Sequence, residues 1–459
     1  MRDPDTIAAI ATPWGASGVG IIRVSGPLSQ TVARRMFRSA ADCPWESHHL
    51  YRGDFLTADG RAVLDEGLAV LMRKPRSFTG EDVFEIHAHG NPVILQAILE
   101  ELMKAGCRPA APGEFSKRAF LNGRMDLSQA EALASMIAAR SQAAYTASLF
   151  QLKGSLTHRI DSIRLKLIDA LAHLEVSMDF DVDVVSSQTP QETRQVDDAA
   201  DGVARLIAAY DSTRRLSEGA GVVIAGRPNV GKSSLLNALA GEQKAIVTDI
   251  PGTTRDLITH PLVLDGFLVR LTDTAGIRAP QDDIEKEGIN LVQNELSRAD
   301  GVILVLDGSR PLTDEDRTLL SNLRCPLVFI VINKSDLTAA WREDSLPPSV
   351  AGKASVIRIS AKTGDGLDLL KNELSKTLAG SARHETRTDA FVLSLRHKLL
   401  LEQSLAALRA AQEHLARNVS PELAAFELRE AIGRLDEITG RQIGEDVLDR
   451  IFSGFCIGK

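Results

Sequence analysis

Three kinds of hydrophobic pattern follow one another along the chain. Up to about residue 120, short apolar runs such as Val19-Gly20-Ile21-Ile22-Arg23-Val24 and Gly67-Leu68-Ala69-Val70-Leu71-Met72 sit between Gly and Pro turns and predict strands. Among them, Pro92 to Lys104 places Val93, Leu95, Ile98, Leu99 and Leu102 at helical spacing and stops before Gly106, which predicts a helix. From about 125 the period changes. Residues 127–178 are rich in Ala and Leu, lack proline and have Gly154 as their one breaker; Ile160, Ile163, Leu167, Leu171 and Leu174 mark a single packing face. The polar stretch 179–193 predicts a loop, and 194–217 is helical again.

Residues 220–378 alternate strand-like runs at 222–225, 267–272, 302–306, 327–332 and 355–359 with helix-like segments, the pattern of a parallel sheet covered on both faces. After about 385 the helical pattern returns, with Ser420-Pro421-Glu422 as a helix start and Gly440 as a stop. Helical sequence on both sides of a self-contained α/β unit predicts an inserted domain, the two helical arms packing together; two separate helical domains are the alternative. The expected division is 1–120, 121–217, 218–379 and 380–459.

Composition narrows the class. A chain of 459 residues suggests about three domains, and 44% hydrophobic with 25% charged residues is a globular balance. No apolar run approaches the roughly 20 residues of a membrane span, and Met1-Arg2-Asp3-Pro4-Asp5-Thr6 is unlike a signal peptide, so a cytoplasmic protein is expected. Cys43, Cys107, Cys325 and Cys456 lie too far apart to suggest a disulfide framework or zinc site. The net charge of −8 excludes a globally basic nucleic-acid binder, so any RNA contact must be local.

The chemistry concentrates in the α/β unit. Gly226-Arg227-Pro228-Asn229-Val230-Gly231-Lys232-Ser233, with Ser234 next, follows the apolar run Val222–Ala225 and opens a helix, the layout of a phosphate-binding loop. Its backbone N–H groups and the helix start attract phosphate, Lys232 reaches the outer phosphates and Ser233 ligates Mg²⁺. Thr253-Thr254 comes next; a threonine such as Thr254 ligates Mg²⁺ only while the third phosphate is present. Asp273-Thr274-Ala275-Gly276 closes a strand, where Asp273 holds the Mg²⁺ water shell and Gly276 senses the γ-phosphate. In Asn333-Lys334-Ser335-Asp336 a carboxylate matches the two donors of guanine that adenine lacks, and Ser360-Ala361-Lys362 closes the base site. Ile277 stands where many small GTPases place a water-orienting glutamine; an apolar residue cannot polarise water.

These motifs, with the tail Phe455-Cys456-Ile457-Gly458-Lys459, resemble the MnmE (TrmE) family of bacterial tRNA uridine-modification GTPases. The resemblance runs over essentially the full length, through Ala11-Thr12-Pro13, Val19–Gly26, Phe78-Thr79-Gly80-Glu81-Asp82, His89-Gly90, Pro112-Gly113-Glu114-Phe115 and Arg118-Ala119-Phe120-Leu121-Asn122-Gly123-Arg124. It implies an α/β folate-binding domain that forms a homodimer, a helical domain in two pieces, and a P-loop GTPase domain inserted between them. It implies action with the FAD-dependent partner MnmG, in a heterotetramer, to install an aminomethyl or carboxymethylaminomethyl group at C5 of the wobble uridine of certain tRNAs. A tetrahydrofolate derivative, 5-formyl or methylene, supplies the one-carbon unit. It further implies GTPase domains that dimerise around K⁺, with Asn229, Thr248, Ile250 and Thr253 as its ligands, and Glu285 positioning water. Thr248 and Thr253 also join the GTP site. Arg23, Glu81, Arg124 and Lys459 match the folate-contacting positions, although lysine is equally expected at Arg124 and hydrogen-bonds differently. Cys456 is the family's tail thiol, either nucleophile or structural. His87 and His89 alternate on one strand with no third ligand and read as structural. Two other functions share this nucleotide domain: a ribosome-assembly RNA-binding switch, and a folate-dependent one-carbon transferase regulated by GTP.

Overall fold

The computed structural model describes residues 5–40, 45–179, 190–241, 259–273, 299–322, 325, 327–347, 354–379, 391–417 and 421–459. The chain divides into two compact units: Met1–Ala134, Leu152–Val203 and Leu399–Lys459 form the first, Ser135–Gln151 and Ala204–Lys398 the second.

In the first unit, strands β1 (Ile7–Ile10), β2 (Ser17–Ser25), β3 (Phe37–Ser39), β4 (Leu50–Leu56), β5 (Val63–Met72), β6 (Val83–Gly90) and β7 (Arg108–Pro109) form a sheet in the order β3-β4-β5-β6-β2-β1-β7. Alternation along β2 and β6 sends Ile22, Val24, Phe84, Ile86 and Ala88 into a core closed by Val32, Met36, Leu95, Ile98 and Leu102 from two helices. One of these, Pro92–Lys104, starts as expected: Asn91 accepts the Val93 N–H and Pro92 occupies the first turn. The opposite residues of the two strands, Arg23 and Glu85, are therefore directly paired in register on the other face.

The helical arms of this unit pack on each other. Helix Ser155–Asp179 buries Ile160, Ile163, Leu167 and Leu174, and helix Pro421–Thr439 buries Leu428, Leu435 and Ile438. Arg164 bonds the nearly buried Asp436 at 2.6 Å across them. Two local expectations change. At the ends of the predicted loop 179–193, Asp179 belongs to the preceding helix and Pro190 opens the next, a position where its missing N–H costs nothing. The helical run also breaks before Gly154: helix Leu127–Ala138 ends, and Ser141 restarts the chain by accepting the Ala144 N–H.

The second unit holds β8 (Ala220–Ala225), β9 (Thr259–Leu264), β10 (Phe267–Asp273), β11 (Gly301–Asp307), β12 (Val328–Asn333) and β13 (Ser355–Arg358), in the order β13-β12-β11-β8-β10-β9. Five strands are parallel, and every residue of β11 is buried, as expected of a strand covered on both faces. The edge strand β9 was not in the expected set and runs antiparallel. It reads poorly because Pro261 interrupts it, which an edge strand tolerates. Asp265-Gly266, at φ 47° and 78°, closes the two-residue hairpin to β10.

Candidate nucleotide and folate sites

Strand β8 ends at Ala225, and helix Lys232–Ala240 begins after six intervening residues. Between them Gly226, Asn229 and Gly231 have φ of 147°, 63° and 100°. Left-handed residues among ordinary ones curl the backbone into the concave, N–H-lined form that receives anions. The glycines are required here. A Cβ on Gly226 would strike the Val305 carbonyl, and one on Gly231 the Asn333 amide nitrogen. Lys232 is 8% exposed, and its ammonium donates to the carbonyls of Gly226 and Arg227 at 2.8 and 2.9 Å. Arg227 in turn bonds the buried Asp316 at 2.7 Å.

The base-site segments are fastened to this loop. The Asn333 amide donates to the Val230 carbonyl at 2.9 Å and accepts the Ala361 N–H at 3.0 Å. The Ser360 hydroxyl donates to Asp336 at 2.7 Å, which aims that exposed carboxylate. Lys334, itself left-handed at φ 67°, reaches the Asn229 carbonyl at 3.0 Å and the Asp307 carboxylate at 2.6 Å. Burial raises the Asp307 pKa, but bonds from Lys334 and Ser309 outweigh it and hold the carboxyl below its usual range. Neither Asp307 nor Asp316 was singled out from the sequence, since a lone Asp at a strand end or in a helix carries no spacing signal.

Thus Asn229, Val230, Lys232, Asn333, Lys334, Asp336, Ser360 and Ala361 come together around one loop. Ser233 and Ser234 are exposed in the first turn of the helix, Lys362 is exposed beside Ala361, and Asp273 ends β10 in register with Ile224 of β8. Exposed hydroxyls are among the hard oxygen donors that Mg²⁺ takes. Thr248, Ile250, Thr253, Thr254, Thr274, Ala275, Gly276, Ile277 and Glu285 lie outside the described residues.

The first unit gathers the other expected set. Arg23 bonds Glu85 at 2.7 Å, donates to the Gly458 carbonyl at 3.3 Å and lies 5.3 and 5.7 Å from the ring centres of Phe78 and Phe115. Burial raises the Glu85 pKa, but His87 and Arg23 pull it below the ordinary value. The His87 Nε2 atom is 3.6 Å from Glu85, an electrostatic neighbour rather than a hydrogen bond. Glu81 accepts from Ser25 at 2.7 Å and from Arg118 at 3.0 Å. Arg124 is exposed, its stem against Gly80. The chain end docks here too, the Gly113 and Phe115 N–H groups donating to the carbonyls of Cys456 and Lys459 at 3.3 and 3.2 Å. Cys456 itself is exposed. Arg118, also bonded to Asp5 and Glu114, had been quoted only as part of a motif. Its i,i+4 spacing from Glu114 was the available signal. His89 pairs with Asp65 at 2.8 Å, and no metal-holding cluster occurs among the described residues.

Comparison with known proteins agrees along the whole chain. The family described as the MnmE helical domain matches residues 127–456, and GTP-binding protein TrmE N-terminus matches residues 6–124. The chain is 44% identical to the tRNA modification GTPase MnmE of Geobacter sulfurreducens over 460 residues, covering 100% of both chains. It is 43% identical to that of Syntrophus aciditrophicus and 40% identical to that of Natranaerobius thermophilus, covering 99% of each chain in both cases. With a phosphate-binding loop fastened to a guanine-type base segment, and with relatives aligned end to end, the chain belongs to the MnmE family of tRNA modification GTPases and is a GTP hydrolase.

Proposed function

We propose that this GTPase is K⁺-stimulated and dimeric, and that with the FAD-dependent partner MnmG it adds an aminomethyl or carboxymethylaminomethyl group at C5 of the wobble uridine of certain tRNAs. The observation that carries the reading is the loop tip. Asn229 is exposed and held left-handed in a loop whose Lys232 ammonium is turned toward the Gly226 and Arg227 carbonyls. An amide oxygen there suits K⁺. K⁺ so placed, with Thr248, Ile250 and Thr253 as further ligands, supplies the charge neutralisation that an arginine finger supplies elsewhere. Glu285 positions the water that Ile277 cannot. Ser233 and Thr254 hold Mg²⁺, Lys232 the outer phosphates, and Asp336 the guanine edge.

In this reading residues 1–120 bind a tetrahydrofolate derivative and dimerise, 121–217 with 380–459 form the helical domain, and 218–379 form the GTPase domain. Arg23, Glu81, Arg124 and Lys459 contact the folate, whose glutamate tail needs cations and whose pterin ring needs a carboxylate. The docking of the chain end beside Arg23 supports their grouping. It also supports a role for Cys456 in the modification.

The test is GTP hydrolysis in K⁺ against Na⁺ at several protein concentrations, with and without Glu285→Ala. Hydrolysis is expected to be K⁺-selective, to rise with protein concentration and to collapse in the variant. Equal rates in the two salts would sink the mechanism.

A further inference from the structure

A buried carboxylate beside the base site has no part in the chemistry above. Asp307 closes β11 and pairs in register with Asn333, the first residue of the base segment. Its side chain is 5% exposed. One oxygen accepts the Ser309 N–H and hydroxyl at 2.9 and 2.6 Å, and the other takes the Lys334 ammonium at 2.6 Å. The Asp307 carbonyl is fixed as well, by Trp341 Nε1 at 3.0 Å. The carboxylate is thus held on one oxygen by Ser309 and on the other by Lys334, while Trp341 fixes the backbone behind it.

We propose that Asp307 is a positioning residue for guanine-nucleotide binding and acts through Lys334. This rests on the reading of Asn333–Asp336 as the base site. A lysine at a strand end ordinarily sweeps many rotamers, and ordering it on binding is unfavourable. Here the order is set in advance. The Asp307 charge draws the ammonium across the sheet end, where the same group donates to the Asn229 carbonyl. One side chain then ties β11, the base segment and the tip of the phosphate loop. Its left-handed backbone, unusual for lysine, is what directs the side chain along that path. The same bond braces Asn229 in its own left-handed conformation, so the orientation of the loop tip depends on a carboxylate that touches no nucleotide.

The experiment is binding of fluorescent GDP, with ADP as control, to the full chain carrying Asp307→Asn, Lys334→Gln, both together, or Ser309→Ala. Asp307→Asn keeps the shape and the Ser309 bonds but removes the charge, and should weaken GDP by about tenfold, the size of a lost charge-assisted hydrogen bond. In the Lys334→Gln background the same change should have no further effect. Ser309→Ala, which loosens the turn and leaves the ion pair, should stay within about twofold of wild type. Unchanged GDP affinity in Asp307→Asn would overturn the assignment, as would equal losses with and without Lys334. Melting of the nucleotide-free variants separates loss of fold from loss of binding. If Asp307→Asn does not fold, Asp307→Ser, which also removes the charge, carries the same cycle. Wild type binding GDP no tighter than ADP would overturn the base-site reading, and this inference with it.

Discussion

The two polar sites of this chain are built in opposite ways. In the candidate nucleotide site, backbone conformation does most of the shaping. Three left-handed residues shape the loop, and its Lys232 ammonium donates to carbonyls a few residues away. In the first unit the site is made of side chains brought together from far apart: Arg23 meets Glu85 across a sheet and the Gly458 carbonyl at the other end of the chain. Charge is handled differently as well. Lys232 donates to the neutral carbonyls of Gly226 and Arg227 within its own loop. Arg118 is surrounded by Asp5, Glu81 and Glu114, which leaves little net charge for a ligand. The contrast shows why a phosphate-type loop is a short motif, whereas a cluster of distant charged side chains needs a finished fold.

That comparison breaks most sharply at Lys232. Lys232→Ala should lower kcat/KM for GTP on the order of 10³, as loss of a preorganised charge stabiliser does, and phosphate release measures it. A loss under tenfold would mean that the backbone alone carries the site.

Gly231→Ala tests the backbone directly. The new Cβ meets the Asn333 amide at a φ of 100°, so GDP affinity should fall roughly 10- to 100-fold, from about 1–3 kcal/mol of strain. Titration with fluorescent GDP reads it. An unchanged affinity would show that the loop relaxes freely.

In the other site, Arg23→Lys should weaken 5-formyl-tetrahydrofolate by about tenfold in calorimetry. Charge is kept, but the planar group between Phe78, Phe115 and Glu85 is lost. Wild-type affinity in Arg23→Lys would reduce this site to simple charge and erase the contrast.

The smallest effect expected is with acid. Asp5, Glu85 and Glu114 each have a carboxyl held below its ordinary value: burial opposes this, and arginine or histidine partners outweigh it. A depressed folded-state pKa means stability present above the unfolded value and lost as pH falls through the folded one, below the ordinary carboxylate range near 4. Thermal melts from pH 6 to 3 should show this loss, and Glu114→Gln should flatten the slope.

Much of the fold was legible where one rule acted alone. The helix Pro92–Lys104 followed from spacing, cap and stop, and the five parallel strands from apolar runs ending in turn residues. Where two rules conflicted, the pattern misled. Pro261 hid an edge strand, Pro190 looked like loop but opens a helix, and Ser141 broke a run that composition alone left continuous. In the nucleotide site the phosphate and base segments were readable, because each requires particular residues at fixed spacing. Asp307 and Asp316 were not, because a side chain that braces such a segment needs only to arrive, and any route through the fold will serve.

By itself the sequence determined the phosphate loop, the guanine-type segment and the order of elements, since these depend on backbone conformations that only certain neighbouring residues permit. Tertiary structure alone decided which charges meet. The pairing of Arg23 with Gly458, of Lys334 with Asp307 and of Arg164 with Asp436 depends on distance in space, and separation along the chain carries no trace of it.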